Sequence, residues 1–117
     1  MLKVYIYNKC STCRNATKWL EQHDIPFETH PIRETPPSME ELEQMLAAYD
    51  GNLKRLINTS SADYRESGLK DSLPTLSTDE VFEKLRQQGN LVKRPFAINA
   101  DVKLVGFKQP EWEAALQ

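Results

Sequence analysis

The chain has 117 residues, 39% of them hydrophobic and 27% charged, which is the size and balance of one globular domain spanning residues 1–117. Fifteen basic and seventeen acidic side chains leave a formal net charge of −2, so nothing in bulk points to direct DNA binding or to a membrane surface. No apolar run approaches the roughly 20 residues needed to span a bilayer.

Leu2, Val4 and Ile6 alternate with Lys3, Tyr5 and Tyr7, the period of a strand and not of a signal peptide. The cytoplasm is therefore the expected location, where a structural disulfide is improbable. Asn8 to Ser11 forms a turn. From Thr12 to about His23 the pattern is helical, with Cys13, Ala16, Trp19, Leu20 and His23 on one face. Asp24-Ile25-Pro26 ends that helix, and Phe27 to His30 reads as a second strand. A β-α-β unit of this kind predicts parallel strands with a right-handed crossover.

Pro36-Pro37-Ser38 opens the next helix, with Ser38 and Glu41 at capping-box spacing. Met39, Leu42, Leu46 and Tyr49 form its apolar stripe, and Glu40, Glu41 and Glu43 read as a solvated helix start. Asp50-Gly51-Asn52 breaks it. Shorter helical pieces are expected over Leu53 to Ile57 and Ala62 to Glu66. A further helix opens at Ser77, carries Val81, Phe82 and Leu85 inward, and ends near Gln88-Gly89. Residues 38–89 thus form a helical insertion. Arg94 to Asn99 and Val102 to Phe107 then make an antiparallel hairpin, and Pro110 starts a terminal helix. The order predicts an α/β protein: a mixed four-stranded sheet flanked by helices, in the arrangement of a thioredoxin-like (glutaredoxin-like) fold.

Cys10-Ser11-Thr12-Cys13 lies at the first strand-to-helix corner. A Cys-x-x-Cys pair next to a β-α-β pattern is a redox signature. A free thiol is mostly protonated at neutral pH, and the nucleophile is the thiolate. Unpaired N–H groups and the dipole at a helix start favour negative sulfur, and Lys9 and Arg14 add positive charge. Cys10 is read as the nucleophile and Cys13, one turn on, as the resolving thiol. Ser11 and Thr12 complete the expected substrate-binding turn. A structural zinc site needs two more ligands. Only His23 and His30 are on offer, so no metal is expected.

The second feature is Lys93-Arg94-Pro95-Phe96. Proline at a strand start lacks the ladder N–H. Thioredoxin-like folds set a cis-proline against the cysteine motif, so likeness to that fold implies a cis Arg94–Pro95 bond, with Pro95 facing the motif and Arg94 pointing toward Cys10 to supply charge.

Tyr7 to Arg14, Pro36-Pro37-Ser38, Asn58-Thr59-Ser60, Lys93-Arg94-Pro95 and Val105-Gly106-Phe107 together resemble the bacterial arsenate reductase/Spx-related family, from Leu2 to the terminal helix. The resemblance implies the thioredoxin-like fold with a helical insert. Glutaredoxin-linked arsenate reductases place one cysteine at the position of Cys10 and bind the oxyanion with three arginines. Only Arg94 matches; Asn58 and Gly106 stand where the other two fall, and Cys13 replaces a serine. Each lost charge-assisted hydrogen bond is worth roughly 1.5–3 kcal/mol, which weighs against arsenate as substrate. Spx-type regulators keep both cysteines as a redox switch and bind the C-terminal domain of the RNA polymerase α subunit, with a contact glycine near Gly51. This chain lacks their extended basic C-terminal segment. It is closest in kind to the short two-cysteine branch (Spx/MgsR/YffB-like proteins). That implies a monomeric thiol–disulfide redox protein with no bound cofactor, acting on a thiol or disulfide substrate or redox protein. Glutathione, a glutaredoxin or a thioredoxin would be the reductant. The alternatives are an Spx-like regulator and an arsenate reductase.

Overall fold

The structure, a computed structural model, describes residues 1–117. Strand β1 (Leu2–Ile6) leads through helix α1 (Ser11–Gln22) to β2 (Phe27–Pro31). The two strands are parallel, with Leu2 opposite Phe27 and Ile6 opposite Pro31. Helices α2 (Met39–Ala48), α3 (Ala62–Ser67), α4 (Leu69–Ser72) and α5 (Thr78–Gln87) follow, with single 3-10 turns between and after them. The chain returns through β3 (Phe96–Ile98) and β4 (Lys103–Val105) and ends in α6 (Gln109–Leu116). The sheet order is β2-β1-β3-β4, with β3 antiparallel to both β1 and β4.

The alternation in β1 sends its side chains to two cores. Leu2 and Val4 join Ala16, Trp19 and Leu20 of α1 and Trp112 of α6 on one face. Tyr5 faces the other way, into a larger cluster with Leu42, Met45, Phe82, Leu85 and Phe96 beneath the helical insertion. A sheet covered on both faces needs apolar side chains on both, and β3 supplies them with Phe96, Ala97 and Ile98 all buried.

Both longer helices of the insertion begin with a reciprocal capping box, Ser38 with Glu41 and Ser77 with Glu80. In each, the serine hydroxyl accepts the glutamate N–H while the carboxylate accepts the serine N–H. Gly89 touches the backbone of Ile32 so closely that a Cβ would collide with it, which locks the end of the insertion onto the segment after β2.

The structure differs from expectation at several places. The helical insertion continues to Leu91 and includes α4, whose single turn is anchored by buried Leu69 after the left-handed Gly68. The strands of the hairpin are shorter at both ends: β3 starts only after Pro95, and β4 stops at Gly106, whose φ is 69°. His23 lies exposed beyond the buried face of α1. Its Nδ1 lies 2.8 Å from the Trp19 carbonyl oxygen. Glu41 is not part of a solvated helix start. It reaches back to the sheet, accepting from the Tyr5 hydroxyl at 2.7 Å and pairing with Lys3 at 3.4 Å.

Candidate functional site

Beyond β1 the chain makes a tight turn, closed by the Cys10 N–H donating to the Tyr7 carbonyl at 3.1 Å. Cys10 is the N-cap of α1, with extended backbone at φ −105° and ψ 112°. Serine, threonine, asparagine or aspartate usually fills that place. Here the Cys10 Sγ takes the capping role and accepts the Cys13 N–H at 3.2 Å. One turn of helix therefore holds the first sulfur against a backbone donor of the second cysteine. Both are free thiols.

The two sulfurs sit in opposite surroundings. Cys10 is partly exposed, whereas Cys13 is 1% exposed on the packed side of α1. Burial pushes the Cys13 thiol up to about 12, and its hydrogen bond to Cys10 pushes in the same direction. A backbone hydrogen bond from Tyr7 and the positive charge of Arg94 offset this only in part.

Cys10 opens onto a cleft of about 510 Å³. Thr12 of α1, the polar run Asn58-Thr59-Ser60 and the β4 end at Val105 and Gly106 line it. So do five cations, Lys54, Arg55, Lys93, Arg94 and Lys108, with no carboxylate among the lining residues. Asn58 and Gly106, where the resemblance places two arginines in arsenate reductases, both stand in this wall.

The Arg94–Pro95 peptide is cis, as likeness to thioredoxin-like folds implied, and Pro95 is buried. Arg94 shares the cleft with Cys10, and its positive charge reaches the Cys13 thiol. Its Nη1 donates to Asn90 Oδ1 at 2.9 Å, and its guanidinium lies over the Tyr7 ring at 5.1 Å from the centroid. Its Nε is buried without a partner. Of the residues expected to bind substrate, Thr12 lines the cleft. Lys9, Ser11 and Arg14 are exposed outside it, and Arg14 donates instead to the Asn8 carbonyl at 3.2 Å.

The sequence reading passed over Lys54, Arg55, Lys93 and Lys108 as cleft residues, and Asn90 and Tyr7 as the holders of Arg94. Their one local signal is the Lys54-Arg55 and Lys93-Arg94 doublets. No group of three or more histidine, cysteine, aspartate or glutamate side chains is placed to hold a metal ion. No helix is long and apolar enough to cross a membrane.

The model of the ArsC family matches residues 5–115, nearly the whole chain and every element that forms the cleft. This chain belongs to the ArsC family. Among its relatives, the uncharacterized protein YusI of Bacillus subtilis is 43% identical over 112 residues, covering 96% of this chain and 95% of the relative. The global transcriptional regulator Spx of Streptococcus pneumoniae is 29% identical over 116 residues, covering 99% and 86%. Among solved structures, an ArsC family related protein from Bacteroides fragilis superimposes with a TM-score of 0.88 at 36% identity, covering 97% of this chain and 96% of that one. ArsC-family structures have a thioredoxin-like fold, and the mixed four-stranded sheet with its helices is that fold here. Within it, this ArsC-family chain carries the two-cysteine pair Cys10 and Cys13.

Proposed function

We propose that this ArsC-family chain is a cytoplasmic thiol–disulfide redox protein in which Cys10 attacks and Cys13 resolves. One observation carries the reading: the exposed sulfur caps a helix and receives the N–H of the residue that bears the second, buried sulfur. The N–H of Cys13 gives the Cys10 sulfur a hydrogen-bond partner as it attacks or leaves again. Cys13 stays a thiol through the physiological range because burial holds its proton. It reacts second, when the mixed disulfide at Cys10 draws its sulfur into bonding distance and its proton is lost. The substrate's thiolate then departs and a Cys10–Cys13 disulfide remains.

Arg94 lines the cleft with Cys10 and its positive charge also reaches Cys13, while buried Pro95 fixes the backbone turn next to Arg94 rather than lining the cleft itself. Thr12 lies along the path of the substrate. A small thiol such as glutathione, or a glutaredoxin or thioredoxin, returns the pair to the dithiol. The test is the alkylation rate of each cysteine against pH. Cys10 is modified first and Cys13 remains unmodified below about pH 9. Equal rates for the two thiols would overturn the assigned roles.

A second reading is supported by the match to Spx regulators over 99% of this chain. In that reading the pair is a redox switch, and the exposed, left-handed turn at Gly51 contacts the C-terminal domain of the RNA polymerase α subunit. Specific retention of this protein by that domain would favour the regulator over the reductase.

A further inference from the structure

We propose that the cleft beside Cys10 selects small disulfides that carry carboxylates, with Lys93 as a specificity-determining cation. The inference rests on the reading of Cys10 as nucleophile and names the chemical class that it attacks.

The chain as a whole is slightly acidic, at −2, yet five cations and no carboxylate line this one cleft. Collecting like charge costs stability through self-repulsion, and a negative ligand relieves it. Two of the five are engaged already. Arg55 lies over the Tyr49 ring at 4.6 Å and pairs loosely with Glu111 at 3.9 Å. Arg94 is held by Asn90 and Tyr7. Lys54, Lys93 and Lys108 form no ion pair.

Lys93 is the best positioned of these three. Its backbone N–H donates to the Leu56 carbonyl at 2.8 Å, which ties it to the insertion. Its side-chain stem crosses Gly106, where a Cβ would stand 3.2 Å from Lys93 Cε. Gly106 also has φ +69°, a conformation that side-chain-bearing residues rarely adopt. Glycine there both permits the end of β4 and leaves the surface over which Lys93 lies. A stem packed in this way loses less freedom when its ammonium meets an anion.

The three lysines come from separate elements: the 3-10 turn after α2, the approach to β3 and the approach to α6. Such point charges suit carboxylates spread over a molecule better than one compact oxyanion gripped by paired forks. The volume of about 510 Å³ is that of a small-molecule site. In the step itself the Cys10 thiolate attacks one sulfur of the disulfide. The old S–S bond breaks as the mixed S–S bond forms, and the other sulfur leaves as a thiolate with the bonding pair. The disulfide is the oxidant, and one of its sulfurs ends as a free thiolate.

The experiment uses the reduced full-length protein and three probes: dithiobis(nitrobenzoate), which is a dianion, neutral dithiodipyridine and dicationic cystamine. Each second-order rate is divided by the rate of the same probe with mercaptoethanol. The normalised rates should fall in the order anionic, neutral, cationic, with a spread that narrows as salt is added. Lys93→Gln should lower the anionic-to-neutral ratio by roughly three- to tenfold. Lys93→Arg should retain most of it, and Lys70→Gln, an exposed lysine outside the cleft, should leave it unchanged. Equal normalised rates in the native protein, or a ratio unmoved by Lys93→Gln in a folded variant, would overturn the proposal. If the native protein reacts with the neutral probe yet shows no charge preference, only this inference fails. If Cys10 is inert even toward the neutral probe, the reading of Cys10 as nucleophile fails and takes this one with it.

Discussion

Glu41 and Arg94 are both charged, and each is set against a tyrosine from the β1 segment, but they are partnered in opposite ways. Glu41 accepts from the Tyr5 hydroxyl at 2.7 Å, from the Ser38 N–H at 3.0 Å and from Lys3 at 3.4 Å. Burial opposes its charge, but these donors outweigh the burial and hold the carboxyl below its ordinary value. Arg94 makes one hydrogen bond, leaves its Nε unpartnered and stands among Lys54, Lys93 and Lys108. The first cluster is closed: its hydrogen bonds join β1 to the start of α2 and leave little for a ligand. The second is open, with positive charge gathered beside a partly exposed sulfur. Charge that is fully partnered reports on folding, and charge left unpartnered beside a nucleophile reports on function.

Substitutions should separate the two clusters. The largest effect is expected for Cys10→Ser, which should slow thiol–disulfide exchange by more than about a thousandfold, the scale of removing a nucleophile. Its urea midpoint should move little, because serine is a good N-cap. Glu41→Ala should do the reverse. It removes one cap and leaves the Tyr5 hydroxyl without its acceptor, so stability should fall by about 2–4 kcal/mol while the exchange rate holds.

The pH dependence of stability follows from the same contrast. Because the folded Glu41 carboxyl lies below its ordinary 4.5, its contribution is present above that pH and is lost as the pH falls through the folded value. Glu41→Gln should flatten that acid limb. Cys13 lies on the other side. Its thiol is raised from 9.0 to about 12, so its contribution is intact below pH 9.0 and is lost as the pH climbs toward 12. Tyr5, raised by burial and by its hydrogen bond to Glu41, should add to the same loss at higher pH. Alkaline unfolding curves of Cys13→Ala and Tyr5→Phe should each lose part of this slope. The smallest effect should come from Asn90→Ala. Releasing Arg94 from its side-chain acceptor should cost about 1 kcal/mol of stability and slow exchange about fivefold. An unchanged rate would mean that Arg94 needs no such anchor.

The elements that were legible in the sequence carry their signals locally. The alternation of Leu2, Val4 and Ile6 and the Ser38 and Glu41 spacing each dictate backbone or side-chain geometry within a few residues. What was misread depends on distant partners. Glu41 looked like one more glutamate on a solvated helix start because Tyr5 lies 36 residues away. Met45 is buried although it fell outside the expected stripe of α2, since the insertion packs over more of that helix than its pattern implies.

The sequence by itself determined the thioredoxin-like order of elements and the two-cysteine corner, because strand period, helix caps and the Cys-x-x-Cys spacing are short-range properties. The helix face that Cys13 shares with Ala16, Trp19 and Leu20 already marked it as the packed, less acidic thiol, and its burial bears that out. What only the tertiary structure decided was the charge around Cys10. It alone gathered Lys54, Arg55, Lys93, Arg94 and Lys108 around one sulfur. Converging charge is a property of packed surfaces. Three separate stretches of chain supply those cations, and the packing of the insertion against the β3–β4 hairpin brings them into one cleft.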